Sequence, residues 1–184
     1  MHAPPPLPNS YDRRGLTAVG FEGWLTWPEL RASAYEVVPC LPGAYVVVRP
    51  LKTEPVFVHP SPAYWMRGQD PRVADEVLLA NWVFRTTVLY IGKADYRKRR
   101  QPVEALRRRL WEYGTFGAGD RATHWGGRYI WQLADAHGLL VAWHASTWGE
   151  TGEEYEDRLL PHFQSRHGDR LPFANLRGAR RKIE

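Results

Sequence analysis

The amino-acid sequence predicts a mixed α/β domain. Runs rich in β-branched and aromatic residues alternate with segments whose apolar residues recur at helical spacing. Hydrophobic residues make up 43% of the 184 residues, which is enough for one domain with a substantial core. The 25 Lys and Arg residues exceed the 20 Asp and Glu residues by five. This balance fits a polyanionic partner, or merely a basic surface.

The first 85 residues are expected to hold an arm, one or two short helices, a strand, an irregular stretch and a further helix. Residues 1–18 contain the run APPPLP, which predicts an extended, disordered arm because proline fixes φ and removes backbone donors. Residues 21–33 predict one or two short helices with aromatic anchors, and residues 42–50 predict a strand bounded by prolines. Residues 51–75 read as irregular, and residues 73–84 have helical apolar spacing.

The second half is expected to alternate strands and helices. Strands are predicted at residues 86–92, 127–133 and 139–146. A helix should begin near Pro102 and end at Gly114, with Leu106, Leu110 and Tyr113 facing the core. The last helix, residues 152–166, starts acidic and ends basic, and its Pro161 predicts a kink or a break. Residues 179–184 form a basic tail.

Composition also bears on the cellular compartment. Cys40 is the only cysteine, so neither an intrachain disulfide nor a Cys-based zinc site can form. The sequence has no signal-peptide pattern and no apolar run long enough to cross a bilayer. We therefore expect a cytoplasmic protein with no membrane partner; the sequence does not indicate an oligomeric state.

Two charged residues border the predicted buried faces of helices. Arg109 lies three residues after Leu106 and four before Tyr113, so it must extend to solvent or meet an anion. Glu156 lies four residues before Leu160, where a carboxylate could bind Mg²⁺ or simply belong to an acidic first turn.

Five short motifs follow one another between residues 42 and 175. In chain order they are Gly43-Ala44-Tyr45, Tyr90-Ile91-Gly92 followed by Lys93, Leu106-x-x-Arg109-Leu110 with Tyr113, Glu156-x-x-Leu159-Leu160, and Pro172-x-x-Asn175. The first two resemble the half-motifs that name the GIY-YIG nucleases, with Ala44 in place of the central Ile. The other three resemble the motifs that follow in that family. The chain therefore resembles the GIY-YIG nuclease superfamily.

The resemblance implies a small, mostly antiparallel central sheet flanked by helices, within a single domain of residues 19–178. Tyr45 and Tyr90 are farther apart than the corresponding residues in the family, so residues 51–85 would be a long insertion between the first two core strands. The implied activity is that of an endonuclease which hydrolyses phosphodiester bonds, with DNA preferred over RNA. One Mg²⁺ or Mn²⁺ ion on Glu156 would be its cofactor.

The resemblance also implies a role for each site residue. Tyr45 or Tyr90 would take the proton from water, and Lys93 would lower the pKa of that tyrosine. Arg109 would bind the non-bridging phosphate oxygens. The remaining roles fall to three residues: Gly92 would let a phosphate approach, Tyr113 would orient the water or a phosphate oxygen, and Asn175 would hold the site together by hydrogen bonds.

Several assignments stay open. Arg97, Lys98, Arg99 and Arg100 could supply the catalytic arginine, but they lack an apolar stripe, so we assign this basic run to contacts with the DNA backbone. Arg107 and Arg108 are expected to point to solvent and to serve the same purpose. His124 could be a further acid or base, although a surface-loop histidine is expected, and Arg128 has the same status. A catalytically silent nucleic-acid-binding module and an enzyme acting on another substrate are the alternative functions.

Overall fold

A four-stranded antiparallel sheet forms the centre of the computed structural model, which describes residues 4–96, 104–122, 124–146 and 150–176. Its strands are β1 (Glu22–Thr26), β2 (Gly43–Val48), β3 (Val88–Ala94) and β4 (Leu140–Ala145), paired in the order β1-β4-β2-β3. Every residue of β2 is buried, as its apolar run predicts for a central strand. The expected small antiparallel sheet flanked by helices is confirmed, with four strands rather than about three.

Helices cover both faces of this sheet. They are α1 (Arg13–Ala18), α2 (Trp27–Ala32), α3 (Asp75–Asn81), α4 (Ala105–Gly117), α5 (Arg128–Trp131) and α6 (Gly152–Arg166). Successive residues of a strand point to opposite faces, so β2 sends Tyr45 and Val47 towards α2 and α4, and Ala44 and Val46 towards α1 and α6. Two apolar cores result, one on each face.

Two segments adopt a different secondary structure from the one their sequence predicts. Residues 22–26, expected to be helical, form β1 and pair with β4, and only α2 follows as a helix. Residues 127–133, expected to be a strand, form a 3₁₀ turn and α5 instead. Tertiary packing overrides the β propensity there, because Trp131 is buried and its Nε1 donates to the carbonyl of Tyr113.

Three boundaries also differ. Helix α4 continues through Gly114 to Gly117, and Gly114 is a point of close packing: a Cβ there would lie 2.0 Å from the hydroxyl of Tyr35. Helix α3 is shorter than residues 73–84. Helix α6 continues through Pro161, so the expected break does not occur.

The N-terminal segment packs on the domain from residue 4 onwards, contrary to the expected disordered arm. Tyr11 and Leu16 are buried in the core on the α6 face. The carbonyls of Pro5 and Pro6 accept hydrogen bonds from Arg158 and Tyr155 of α6. These hydrogen bonds satisfy two carbonyls of the proline-rich segment and hold the segment against α6.

Residues 51–85, expected to be an insertion, are part of the fold. Val73, Leu78 and Trp82 join the core on the α4 face. Residues 179–184, expected to form a basic tail, lie outside the described residues. Within the described ranges, no helix is both long enough and apolar enough to cross a bilayer.

Candidate active site

Three tyrosines and a histidine form a buried aromatic cluster against β2 and β3. The ring of Tyr90 lies 5.7 Å from that of Tyr45 and 5.6 Å from that of Tyr113. His124 stacks on Tyr113 with ring centroids 3.8 Å apart and planes tilted by 14°. Nε2 of His124 lies 3.2 Å from the Tyr45 hydroxyl. Residues from two strands, one helix and one loop therefore meet at one point.

Gly92 makes this arrangement possible. It lies directly opposite Tyr45 in the β2–β3 register. A Cβ at Gly92 would lie 2.5 Å from Cε1 of Tyr90, 2.6 Å from Cζ of Tyr45 and 2.8 Å from the Tyr45 hydroxyl. The space that Gly92 leaves is thus filled by the two phenol groups, whereas the sequence led us to expect a phosphate there.

His124 is a buried residue, so the expected surface-loop histidine is wrong. Only 2% of its surface is exposed, and Nδ1 is buried with no hydrogen-bond partner. Burial and the nearby Arg109 lower the pKa of His124 well below its ordinary value, which keeps the ring neutral. The loop fits closely against α4 because Gly127 has no side chain: a Cβ there would lie 2.4 Å from the Tyr113 ring.

Arg109 is the described cation that acts on the pKa of Tyr45 and Tyr90. It lies one turn before Tyr113 on α4, is partly buried, and approaches the Glu112 carboxylate at 3.5 Å. Burial opposes its charge, but Tyr45, Tyr90 and Glu112 favour that charge more strongly and raise its pKa. A guanidinium held beside phenol groups and one carboxylate is a suitable ligand for an anion.

The tyrosines themselves are held in the protonated form. Burial raises the pKa of Tyr45 well above its ordinary value, Tyr90 raises it further, and Arg109 only partly opposes this. The pKa of Tyr90 is also raised by burial, again with Arg109 in opposition. Tyr113 is fully buried and its hydroxyl has no hydrogen-bond partner. None of the three phenols is therefore ionised near neutral pH in the protein alone.

Lys93 does not serve as the cation for these tyrosines. It lies on the opposite face of β3 from Tyr90, where its Nζ donates to Glu153 and lies 3.6 Å from Oε2 of Glu156. We expected Lys93 to lower the pKa of a motif tyrosine. Arg109 is instead the cation that opposes the raised pKa of Tyr45 and Tyr90. Residues three apart in a strand point to opposite faces. The separation of Lys93 from Tyr90 could therefore have been predicted from the sequence.

Glu156 is a partly buried carboxylate with an incompletely balanced charge. Burial raises its pKa, Lys93 only partly opposes this, and the resulting pKa is about 7. Its charge also contributes to the raised pKa of Tyr45 and Tyr90, although α6 packs on the other face of the sheet. A second cation beside Glu156 would stabilise the ionised carboxylate and lower its pKa.

The donor set at Glu156 fits Mg²⁺ in one specific manner. The described ranges contain no group of three or more His, Cys, Asp or Glu side chains arranged to hold a metal ion. Mg²⁺ needs no such group, because it retains several waters and binds through one or two carboxylates together with substrate phosphates. Glu156 therefore fits a metal ion that is completed by water and substrate, and it does not fit a closed structural site.

Asp95 was missed in the sequence, yet it fixes the start of the helix that carries Glu156. Its two carboxylate oxygens accept from the backbone nitrogens of Gly152 at 2.8 Å and Glu153 at 3.0 Å. A Cβ on Gly152 would lie 2.4 Å from the carbonyl oxygen of Gly43. Helix α6 therefore begins directly on the ends of β2 and β3. The available signal was an acidic residue two positions after Lys93, at a strand end.

Asn175 fixes the edge strand of the sheet. Its Oδ1 accepts from the backbone nitrogen of Ile91 at 2.9 Å, and its Nδ2 donates to the Ile91 carbonyl at 2.7 Å. The backbone nitrogen of Ala174 donates to the Leu89 carbonyl at 2.8 Å. The segment thus pairs with β3 much as a further strand would, and it holds the strand between Tyr90 and Gly92.

The arginines expected at the DNA backbone differ in their environment. Arg107 donates to the carbonyls of Val38 and Glu36, each at 3.0 Å, so it is tied to a neighbouring loop and does not point freely to solvent. Arg108 is likewise partly buried. The basic run of Arg97, Lys98, Arg99 and Arg100 lies outside the described residues.

Comparisons of the chain with protein-family models, curated proteins and solved structures found no match.

Proposed function

We propose that the protein is a metal-dependent endonuclease of the GIY-YIG type that hydrolyses phosphodiester bonds of nucleic acid, with DNA preferred over RNA. One observation carries the proposal. Tyr45, Tyr90, Arg109 and Glu156 come from four different elements of the chain, and Arg109 and Glu156 each affect the pKa of both tyrosines. An anion-binding guanidinium, a possible proton acceptor and a metal-binding carboxylate are the groups that this hydrolysis requires.

Arg109 would bind the scissile phosphate. Its guanidinium can donate two parallel hydrogen bonds to non-bridging oxygens, where negative charge increases in the transition state. The half-buried position strengthens this interaction, because little water screens it. A bound Mg²⁺ or Mn²⁺ ion at Glu156 would neutralise further charge and stabilise the leaving oxygen.

The proton of the attacking water would pass to Tyr45 and from there to His124. Tyr45 is a protonated phenol and can accept a proton only as it gives its own away. Nε2 of His124 lies 3.2 Å from its hydroxyl and accepts that proton when Nδ1 carries the hydrogen of the neutral ring. The negative charge of a bound phosphodiester opposes the effect of Arg109 on His124 and so raises the basicity of the imidazole. This pathway favours Tyr45 over Tyr90 as the base.

A catalytically silent binding module is the second candidate, since basic arginines alone suffice for binding. Glu156 argues for catalysis. Glu156 is partly buried and its charge is only partly balanced by Lys93, so it would repel a polyanion bound at this site unless a further cation lies between them. A pure binding module has no use for such a group.

Cleavage and binding by the wild-type protein separate the two candidates. Single-stranded DNA, duplex DNA, branched DNA and RNA should each be incubated with Mg²⁺, with Mn²⁺ and with EDTA. The nuclease proposal predicts cleavage of at least one DNA substrate with metal and none with EDTA. Binding without cleavage under every condition would instead establish the binding module.

Two alanine variants test the residue assignment. Glu156→Ala and Arg109→Ala should each abolish cleavage, while the protein remains folded and Glu156→Ala still binds DNA. Cleavage that survives Arg109→Ala and disappears in Arg100→Ala would transfer the catalytic role to the basic run at Arg97–Arg100.

A further inference from the structure

The guanidinium of Arg128 is held by aromatic rings on the segment that also carries His124. Its Cζ lies 4.9 Å from the ring centre of Trp125 and 5.3 Å from that of Tyr129. One terminal nitrogen donates to the Trp125 carbonyl at 3.2 Å. The side chain is only partly exposed. Stacking on aromatic faces holds the planar group in place and leaves its other N–H donors available for a ligand.

The segment that carries Arg128 is the one that delivers His124 to Tyr45. Trp125 follows His124 and packs against Phe116 of α4, with ring centroids 6.4 Å apart. Gly127 packs directly on Tyr113, one turn along the same helix from Arg109. Arg128 is the next residue. Arg128 is therefore carried by the segment that packs directly on the tyrosine cluster.

The charge of Arg128 is not balanced by a carboxylate anywhere in the described ranges. Among the described residues no salt bridge involves Arg128, in contrast to Arg49, Arg109 and Arg158. Burial lowers its pKa, and only the phenol of Tyr129 opposes this. Partial burial of an unpaired cation is unfavourable, and an anionic ligand would remove the penalty.

We propose that Arg128 binds a backbone phosphate of the nucleic acid next to the scissile one. This inference rests on the proposed nuclease function and adds a subsite to it. The ligand is a phosphodiester, which a guanidinium can bind through two hydrogen bonds. Trp125 acts as a positioning residue that orients the guanidinium. Since phosphate contacts fix register without reading bases, the subsite contributes to affinity and alignment and not to sequence preference.

The salt dependence of DNA binding tests this subsite. Binding of a labelled DNA duplex should be measured by fluorescence anisotropy in EDTA, which prevents cleavage, over a range of KCl concentrations. Loss of one phosphate contact reduces the slope of log K against log[salt] by about 0.9. Arg128→Gln should show this reduction and bind about tenfold more weakly near 0.1 M salt. Arg128→Lys keeps the charge and should retain the wild-type slope.

Arg13→Gln is the matched control. Arg13 also stacks on a tryptophan, with its Cζ 5.5 Å from the Trp24 ring, but it belongs to α1 on the opposite face of the sheet. The Arg13→Gln substitution removes the same charge and should leave the slope of log K against log[salt] unchanged. Equal slopes for folded Arg128→Gln and wild type, or equal losses in Arg128→Gln and Arg13→Gln, would overturn the subsite alone. Failure of the wild-type protein to bind DNA both in EDTA and with Mg²⁺ would overturn the proposed function and the subsite with it.

Discussion

Gly92→Ala is expected to damage both the fold and the candidate site. The added Cβ would lie less than 3.0 Å from each of three atoms of Tyr45 and Tyr90. Tyr45 is fully buried and cannot turn away without disturbing the core. Overpacking of this kind costs about 1–3 kcal/mol, and about 2 kcal/mol would lower Tm by roughly 4–8 °C in a domain of this size. Displacement of the Tyr45 hydroxyl from His124 should reduce kcat by about a hundredfold.

Urea unfolding and single-turnover cleavage measure these two effects, and Gly126→Ala is the control. Gly126 lies in the turn beside His124, and a Cβ there would meet no atom within 4 Å. Its replacement should change the free energy of unfolding by less than about 0.5 kcal/mol. Wild-type stability and wild-type cleavage in Gly92→Ala would refute the account in which the two phenols occupy the space above Gly92.

Three further predictions concern Glu156, Asp95 and Asn175. The pKa of Glu156 rises from 4.5 to about 7 on folding, so its stabilising contribution is complete below about pH 4.5 and is lost as the pH rises through 7. We therefore expect the difference in free energy of unfolding between wild type and Glu156→Gln, measured in EDTA, to fall by about 3 kcal/mol between pH 4 and pH 8. A difference that stays constant over this range would contradict the burial of this carboxylate. Asp95→Asn removes one of the two carboxylate oxygens through which residue 95 accepts from the backbone of α6, and calorimetric titration should show Mg²⁺ binding weakened by about tenfold; unchanged affinity would mean that Asp95 does not position Glu156. Asn175→Ala leaves the buried backbone groups of Ile91 unpaired and should destabilise the fold by about 2–4 kcal/mol in urea, whereas a change below about 0.5 kcal/mol would exclude this tether.

The parts of the fold that local pattern determines could be predicted from the sequence. Strands β2 and β3 follow from apolar runs, and α4 and α6 follow from apolar residues at helical spacing. Strand β1 was missed because its residues are mostly half-exposed and its pairing with β4 shifts at Gly23 and Leu25, which disrupts any regular alternation. Helix α5 was missed because its Trp131 packs on α4, a contact that no local pattern encodes.

The candidate site shows the same division. Arg109, Tyr113 and Glu156 could be found because each occupies or borders an apolar helical stripe. The contact of His124 with Tyr45 joins residues 79 positions apart, and the contacts of Asp95 with α6 span 57 and 58 positions. Such contacts depend on how a loop or a helix end is placed by the whole fold. The burial of His124 in particular depends on Gly127, whose small size is meaningful only once Tyr113 lies opposite.

Single-turnover cleavage of DNA by Glu156→Gln, compared with wild type at saturating Mg²⁺, tests the central claim most directly. The substitution keeps the size of the side chain and removes only the charge that would hold the metal ion. The account predicts that cleavage falls by at least about a hundredfold while circular dichroism and DNA binding stay as in wild type. Cleavage by Glu156→Gln at the wild-type rate would contradict metal-dependent catalysis at this site.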